Sequence, residues 1–206
     1  MSTVLYTTAP TALDADGVCL AQQLAEAGNL LINGVLATFG EQQRVTLYSA
    51  GNLSAVTFTV YGTTTFGAAI SEAIAGPDNG TVTTTANFKT VTRVAASGAV
   101  GSNVTVGNSN ALETPWIALN TERPVKGISV VLSSGASLTY EVQYGTRLRA
   151  NSADAETAVL AKADATLTAK TASDSVAVTV PWPMARLKIT SFVSGTATLR
   201  VLESPV

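Results

Sequence analysis

A two-residue hydrophobic period constrains this chain more than any other feature. From Arg44 the apolar Val45 and Leu47 alternate with polar neighbours, a turn follows at Ser49-Ala50-Gly51-Asn52, and Val56, Phe58 and Val60 then alternate with Thr57 and Thr59. Successive side chains of a strand point to opposite faces, so this pattern specifies sheet with one buried face. It reads as a half-buried hairpin. The layout returns about 82 residues later, where Ile128, Val130 and Leu132 lead through Ser133-Ser134-Gly135 to Leu138, Tyr140 and Val142.

The stretch from Ile70 to Gly107 is rich in Thr and Val and broken at Gly76-Pro77-Asp78-Asn79-Gly80 and at Ser97-Gly98. Such residues make pleated sheet and tight turns. A second echo links Val91-Thr92-Arg93-Val94, Ser97-Gly98 and Val104-Thr105-Val106 to Leu187-Lys188-Ile189, Ser194-Gly195 and Leu199-Arg200-Val201, in the same order. Recurrence in order suggests a duplicated β module. The expected architecture is all-β, with two antiparallel β-sandwich domains of Ig-like or jelly-roll-like type and at most one or two short helices. Residues 1–110 form the first, with an N-terminal arm, and 111–206 the second. The boundary falls in the polar, turn-prone run Asn108 to Thr114.

Local signals add detail. Asn33-Gly34 between Leu30-Leu31-Ile32 and Val35-Leu36-Ala37 predicts a two-residue hairpin turn, because Asn-Gly adopts positive φ at little cost. Val18 to Ala27 leaves two readings open, a short helix between Asp16 and Gly28 or irregular chain. Alanine-rich Ala153 to Ala165 favours a short helix. Prolines on both sides of Trp182 place it on an edge or loop.

The same residues offer little chemistry. There is no histidine, which removes the usual general base and the commonest metal ligand. Cys19 is the only cysteine, so no intramolecular disulfide forms, and it reads as a buried small hydrophobe. The nearest carboxylate pairs, Glu72 with Asp78 and Glu113 with Glu122, sit in no visible cleft pattern. Asp14-Ala-Asp16-Gly17 resembles the start of a calcium loop, but Ala25 stands where a bidentate Glu is required. The glycines form no phosphate-binding pattern. The expectation is a non-enzymatic protein without catalytic residues, metal or cofactor.

Charged residues make up 13% of the chain and the net charge is -2, with 3 basic and 6 acidic residues before residue 110. That balance argues against nucleic acid as a partner. The pairs Arg147/Arg149 and Arg186/Lys188 each lie on one strand face and read as solvated outer surface. Val18 to Phe39 is interrupted by polar residues and no basic segment precedes it, so neither a membrane span nor a secretory signal is expected. Asn52, Asn79 and Asn103 head glycosylation-type triplets and read as turn asparagines. The aromatic residues Trp182, Trp116, Tyr61 and Tyr144 are the candidate interface residues. The runner-up reading is a glycan- or receptor-binding adhesin that uses exposed aromatics such as Trp182, Tyr61 or Tyr144, since sandwich folds host both roles.

The segment GTTTFGAAISEAIAGPDNGTVTTTANFKTVTRVAASGAVGSNVTVG, residues 62–107, resembles a segment of virion proteins of tailed bacteriophages. Its markers are Ser71-Glu72, Gly76-Pro77, Asn79, Phe88, Thr90-Val91-Thr92 and Val104-Thr105-Val106-Gly107. The similarity extends to the Asn33-Gly34 and Arg44-Leu47 regions and to Arg186-Ile189 and Leu199-Leu202, about two thirds of the chain. It implies a β-sandwich subunit present in many copies, either a capsid decoration or a head–tail region component. The implied partners are identical copies and other virion proteins, such as the major capsid protein or portal and tail proteins, with no nucleic acid and no membrane contact. The implied location is the virion, after synthesis in the host cytoplasm.

Overall fold

The computed structural model describes residues 2–8, 13–33, 37–120, 126–145, 161–178 and 183–203. Their regular structure is entirely β, paired antiparallel, with no helix among the described residues. The chain divides into two compact units, Leu13–Leu112 and Glu113–Val206, and the N-terminal segment belongs with the latter.

The strands are β1 (Ser2–Thr8), β2 (Cys19–Leu24), β3 (Gly28–Asn29), β4 (Ala37–Asn52), β5 (Thr57–Thr63), β6 (Ala69–Ala75), β7 (Asp78–Ala96) and β8 (Val100–Glu113). Then follow β9 (Ile117–Ala118), β10 (Lys126–Leu132), β11 (Ser137–Gly145), β12 (Ala161–Ala163), β13 (Asp174–Val178), β14 (Met184–Ser194) and β15 (Ala197–Glu203).

In the first unit the order is β8-β4-β7-β5-β6, with β2 on β8 and β3 on β7. The alternating residues face inward as the pattern requires: Val45, Leu47, Phe58, Val60, Phe88, Val94, Val104 and Val106 are all fully buried. The expected hairpin between Val45 and Val60 is not formed, because β7 lies between β4 and β5 and pairs with both. Periodicity fixes which face a residue occupies but not which strand lies beside it. The chain turns instead at Leu53–Val56, where Val56 N donates to Leu53 O (2.9 Å) and Leu53 N to Pro77 O (2.7 Å).

Strand β7 is bulged where it faces β4. Arg44 opposes Asn87 and Thr46 opposes Thr83, so residues 84–86 face Val45 alone. The ladder bonds lost there are replaced by side chains. Val45 N donates to Thr84 Oγ1 (2.9 Å), and the Glu72 carboxylate accepts from Thr85 N (2.9 Å), Thr85 Oγ1 (3.0 Å) and Ala86 N (2.7 Å).

The region Val18 to Ala27 holds no helix: its middle is strand, and residues 18 and 25–27 are irregular. Cys19–Leu24 is strand β2, in broken register on β8. The Gln22 carboxamide imitates a further strand, accepting from Leu31 N (2.8 Å) and donating to Leu31 O (3.0 Å). Leu30 to Ile32 accordingly form no strand, and Asn33 is held by Val18 O and Asp16 O. Gly34 to Leu36 lie outside the described residues, as do Arg147, Arg149, Glu122, Trp182 and Ala153 to Leu160. Ala161–Ala163, the tail of the expected helix, are strand.

In the second unit one sheet runs β1-β15-β10-β13, and another runs β12-β11-β14 with β9 paired to β14. The expected second hairpin is again absent, since β10 and β11 belong to different sheets. The turn Ser133–Ala136 carries the chain from one sheet to the other, helped by Gly135 at φ 72°. The turn from β14 to β15 does the same at Gly195, φ 98°. The two turns are tied together, Ser133 N to Thr196 O (3.0 Å) and Thr196 N to Ser133 Oγ (3.0 Å). Residues 2–8, read as part of an arm of the first domain, pair with β15 over their whole length. The run Asn108 to Glu113, read as a turn-prone boundary, is strand.

Candidate functional site

Of the four aromatic residues singled out in the sequence, three are described, and the structure does not bring them together into one exposed surface. Tyr144, on β11, is buried, and its hydroxyl donates to Asp164 Oδ2 (2.9 Å). Asp164 Oδ1 in turn accepts from Thr166 N and Leu167 N, closing a turn after β12. Tyr61, on β5, is half-buried beneath the Arg93 guanidinium, 3.8 Å from the ring centre, and the two residues are direct cross-strand partners. Trp116 is half-buried with Arg186 at 4.5 Å over its ring, and its Nε1–H is buried without an acceptor.

Around Arg186 lies a polar cluster built from two strands. Arg186 opposes Gln143 and Lys188 opposes Glu141 across β14 and β11, so all four side chains share one face. Arg186 Nη1 stands 2.7 Å from Glu113 Oε2, and its Nε donates to Gln143 Oε1 (2.8 Å). Gln143 Nε2 donates to Glu141 Oε1 (2.6 Å), which also receives Lys188 Nζ at 3.1 Å. The expected solvated face of Arg186 and Lys188 is corrected for Arg186, whose side chain is only 9% exposed. Glu113 and Trp116 lie against it, an association across about 70 residues that no local pattern announces.

The carboxylates considered for acid–base work have other partners. Glu72 holds the β7 bulge, Asp78 accepts from Asn79 Nδ2 (2.7 Å), and Glu113 pairs with Arg186. Asp14 is part of a turn: its Oδ1 accepts from Asp16 N, while its backbone N donates to Asn108 Oδ1 (2.9 Å) and its carbonyl accepts from Asn108 N (3.0 Å). No group of three potential metal-binding side chains occurs among the described residues, and no helix there is long and apolar enough to cross a membrane.

Three buried acids titrate late. Burial pushes the Cys19 thiol from 9.0 to about 12. Burial, then the Asp174 charge, pushes Tyr140 from 10.0 to about 12. Burial and the Asp164 hydrogen bond raise Tyr144 further. Each folded pKa exceeds its unfolded value, so between pH 9 and 12 the unfolded chain binds fewer protons and stability falls as pH rises. Denaturant midpoints measured across this range should decline steadily from pH 9. In the native state at pH 8, Cys19 should resist a thiol-reactive dye and react fully only when unfolded. Prompt labelling of the folded protein would contradict the burial of Cys19.

No family model and no curated protein matches the chain. Among solved structures the chain is similar to the PBSX exported protein XepA, at 10% sequence identity and a TM-score of 0.28, over 96% of this chain and 85% of that one.

Proposed function

We propose that the chain is a non-enzymatic structural component of a tailed-phage particle, built as two β-sandwich domains and incorporated in multiple copies on the head or in the head–tail region. The observation that carries this reading is the role of the residues on which the phage resemblance rests. Glu72 secures the β7 bulge, and Pro77 O receives Leu53 N. Gly76 leaves no room for a Cβ, which would meet Leu53 O at 2.4 Å. Asn79 takes the left-handed conformation at φ 50°, and Phe88 is fully buried. These residues serve packing and turn geometry, so the likeness concerns architecture, as suits a protein that works by shape. The sandwich reading is supported by the paired turns of the second unit, each passing the chain between sheets.

The described candidate aromatics give the adhesin alternative no support, although Tyr48 at 47% and Phe66 at 70% are exposed elsewhere. Tyr144 is buried on Asp164, while Tyr61 and Trp116 are each capped by an arginine. Stoichiometry provides the test. Quantitative mass spectrometry of purified particles should find the chain in many copies if it decorates the head, or about a dozen or fewer if it belongs to the head–tail region. Its absence from particles would overturn both forms of the proposal.

A further inference from the structure

The outward face of the sheet β1-β15-β10-β13 combines exposed apolar side chains with a single charge. Inward positions on β15 and β10 are occupied by the buried Leu199, Val201, Ile128 and Val130. The outward positions between them expose large apolar side chains: Leu5 at 59%, Leu202 at 37% and Val131 at 36%. Arg200 is the only charged residue at an outward position of these four strands among the described residues, and it makes no ion pair there. Register places Arg200 between Leu5 on β1 and Ser129 on β10, with Gly127 beside Leu202 forming a low point in the surface. Thus a single guanidinium stands within an otherwise neutral face.

We infer that this face docks onto a different protein of the particle, one presenting an apolar surface with a single Asp or Glu carboxylate opposite Arg200. This inference deepens the proposed virion role and rests on it. Charge and area select the occupant. A two-fold copy centred on the face would set Arg200 against itself, a like-charge contact that costs affinity. Four strands spaced ~4.8 Å and three outward rows spaced ~6.8 Å give only about 400 Å². A stable pairwise complex buries roughly 800 Å² per partner, so this face suits attachment in many copies, where weak contacts add. A carboxylate meeting Arg200 would form a charge-assisted hydrogen bond in partly dry surroundings and fix the orientation of docking.

The test uses assembled particles carrying Arg200→Lys, treated with a water-soluble carbodiimide, which joins an amine to a carboxylate at contact distance. Peptide mass spectrometry should find the new amine linked to an Asp or Glu of another particle protein. A link to a second copy of this chain, or no link while the chain remains in the particle, overturns the inference. If the wild-type chain is missing from particles, the virion role itself fails and this inference falls with it. Arg200→Glu should lower incorporation at least tenfold in competition with wild type, with an unchanged melting temperature because the side chain is exposed. Equal incorporation would also overturn the inference.

Discussion

Gly107→Ala should be among the most damaging single substitutions in the first unit. A Cβ at Gly107 would fall 1.9 Å from Asp14 O and 2.6 Å from Ala15 C, both backbone atoms that cannot rotate aside. The same carbonyl accepts the Asn108 amide, so moving it also breaks the clamp through which the Asp14 turn is held to β8. Overpacking of this kind with loss of a hydrogen bond costs about 3 kcal/mol or more. For a unit of this size that corresponds to a fall in melting temperature of roughly 12 to 24 °C. Gly101→Ala is the matched control, because Gly101 lies on the same strand and a Cβ there would meet nothing within 4 Å. It should be neutral or slightly stabilising. Equal melting temperatures for the two variants, measured by calorimetry, would refute the tight approach at Gly107.

Glu113→Ala should destabilise the second unit by a similar amount. It strips the carboxylate from an arginine whose side chain is 9% exposed, leaving a poorly solvated charge beside Trp116. Removing one partner of a buried pair costs about 3 to 5 kcal/mol, whereas replacing both by apolar residues is often close to neutral. The double variant Glu113→Leu with Arg186→Met should therefore recover much of the loss. Chemical denaturation of the single and double variants gives the coupling directly, and additive losses would rule out Arg186–Glu113 as the pair that matters.

Sequence pattern revealed the faces of this protein far better than its neighbours. Val45, Leu47, Phe58 and Val60 are buried as their alternation requires, and so are Ile128, Val130, Tyr140 and Val142. Yet both expected hairpins fail. A period of two is equally satisfied by an adjacent strand, an intervening strand or a strand in another sheet, and only long-range pairing distinguishes these. The β2 segment was obscured for a related reason. Its register on β8 is broken, and part of the pairing expected from backbone is supplied by the Gln22 side chain. The aromatic residues were legible as large amphipathic groups, but not their partners. Arg93 two strands away in sequence, or Arg186 across 70 positions, decides whether a tyrosine or tryptophan is open to a ligand. The four-stranded face was hidden because Leu5, Val131 and Leu202 come from three separate parts of the chain.

The pairing of β1 with β15 also sets a schedule for synthesis. Thr7 and Thr198, whose hydroxyls lie 3.0 Å apart, are separated by 191 positions. At about 5 to 20 residues per second, β1 leaves the ribosome roughly 10 to 40 s before its partner strand exists. During that interval an uncharged segment, Ser2–Thr8, waits with strand-forming residues and no β15 to receive them. The described strands of the first unit have all been made well before then. Strand β15 is the one that gives β1 its place.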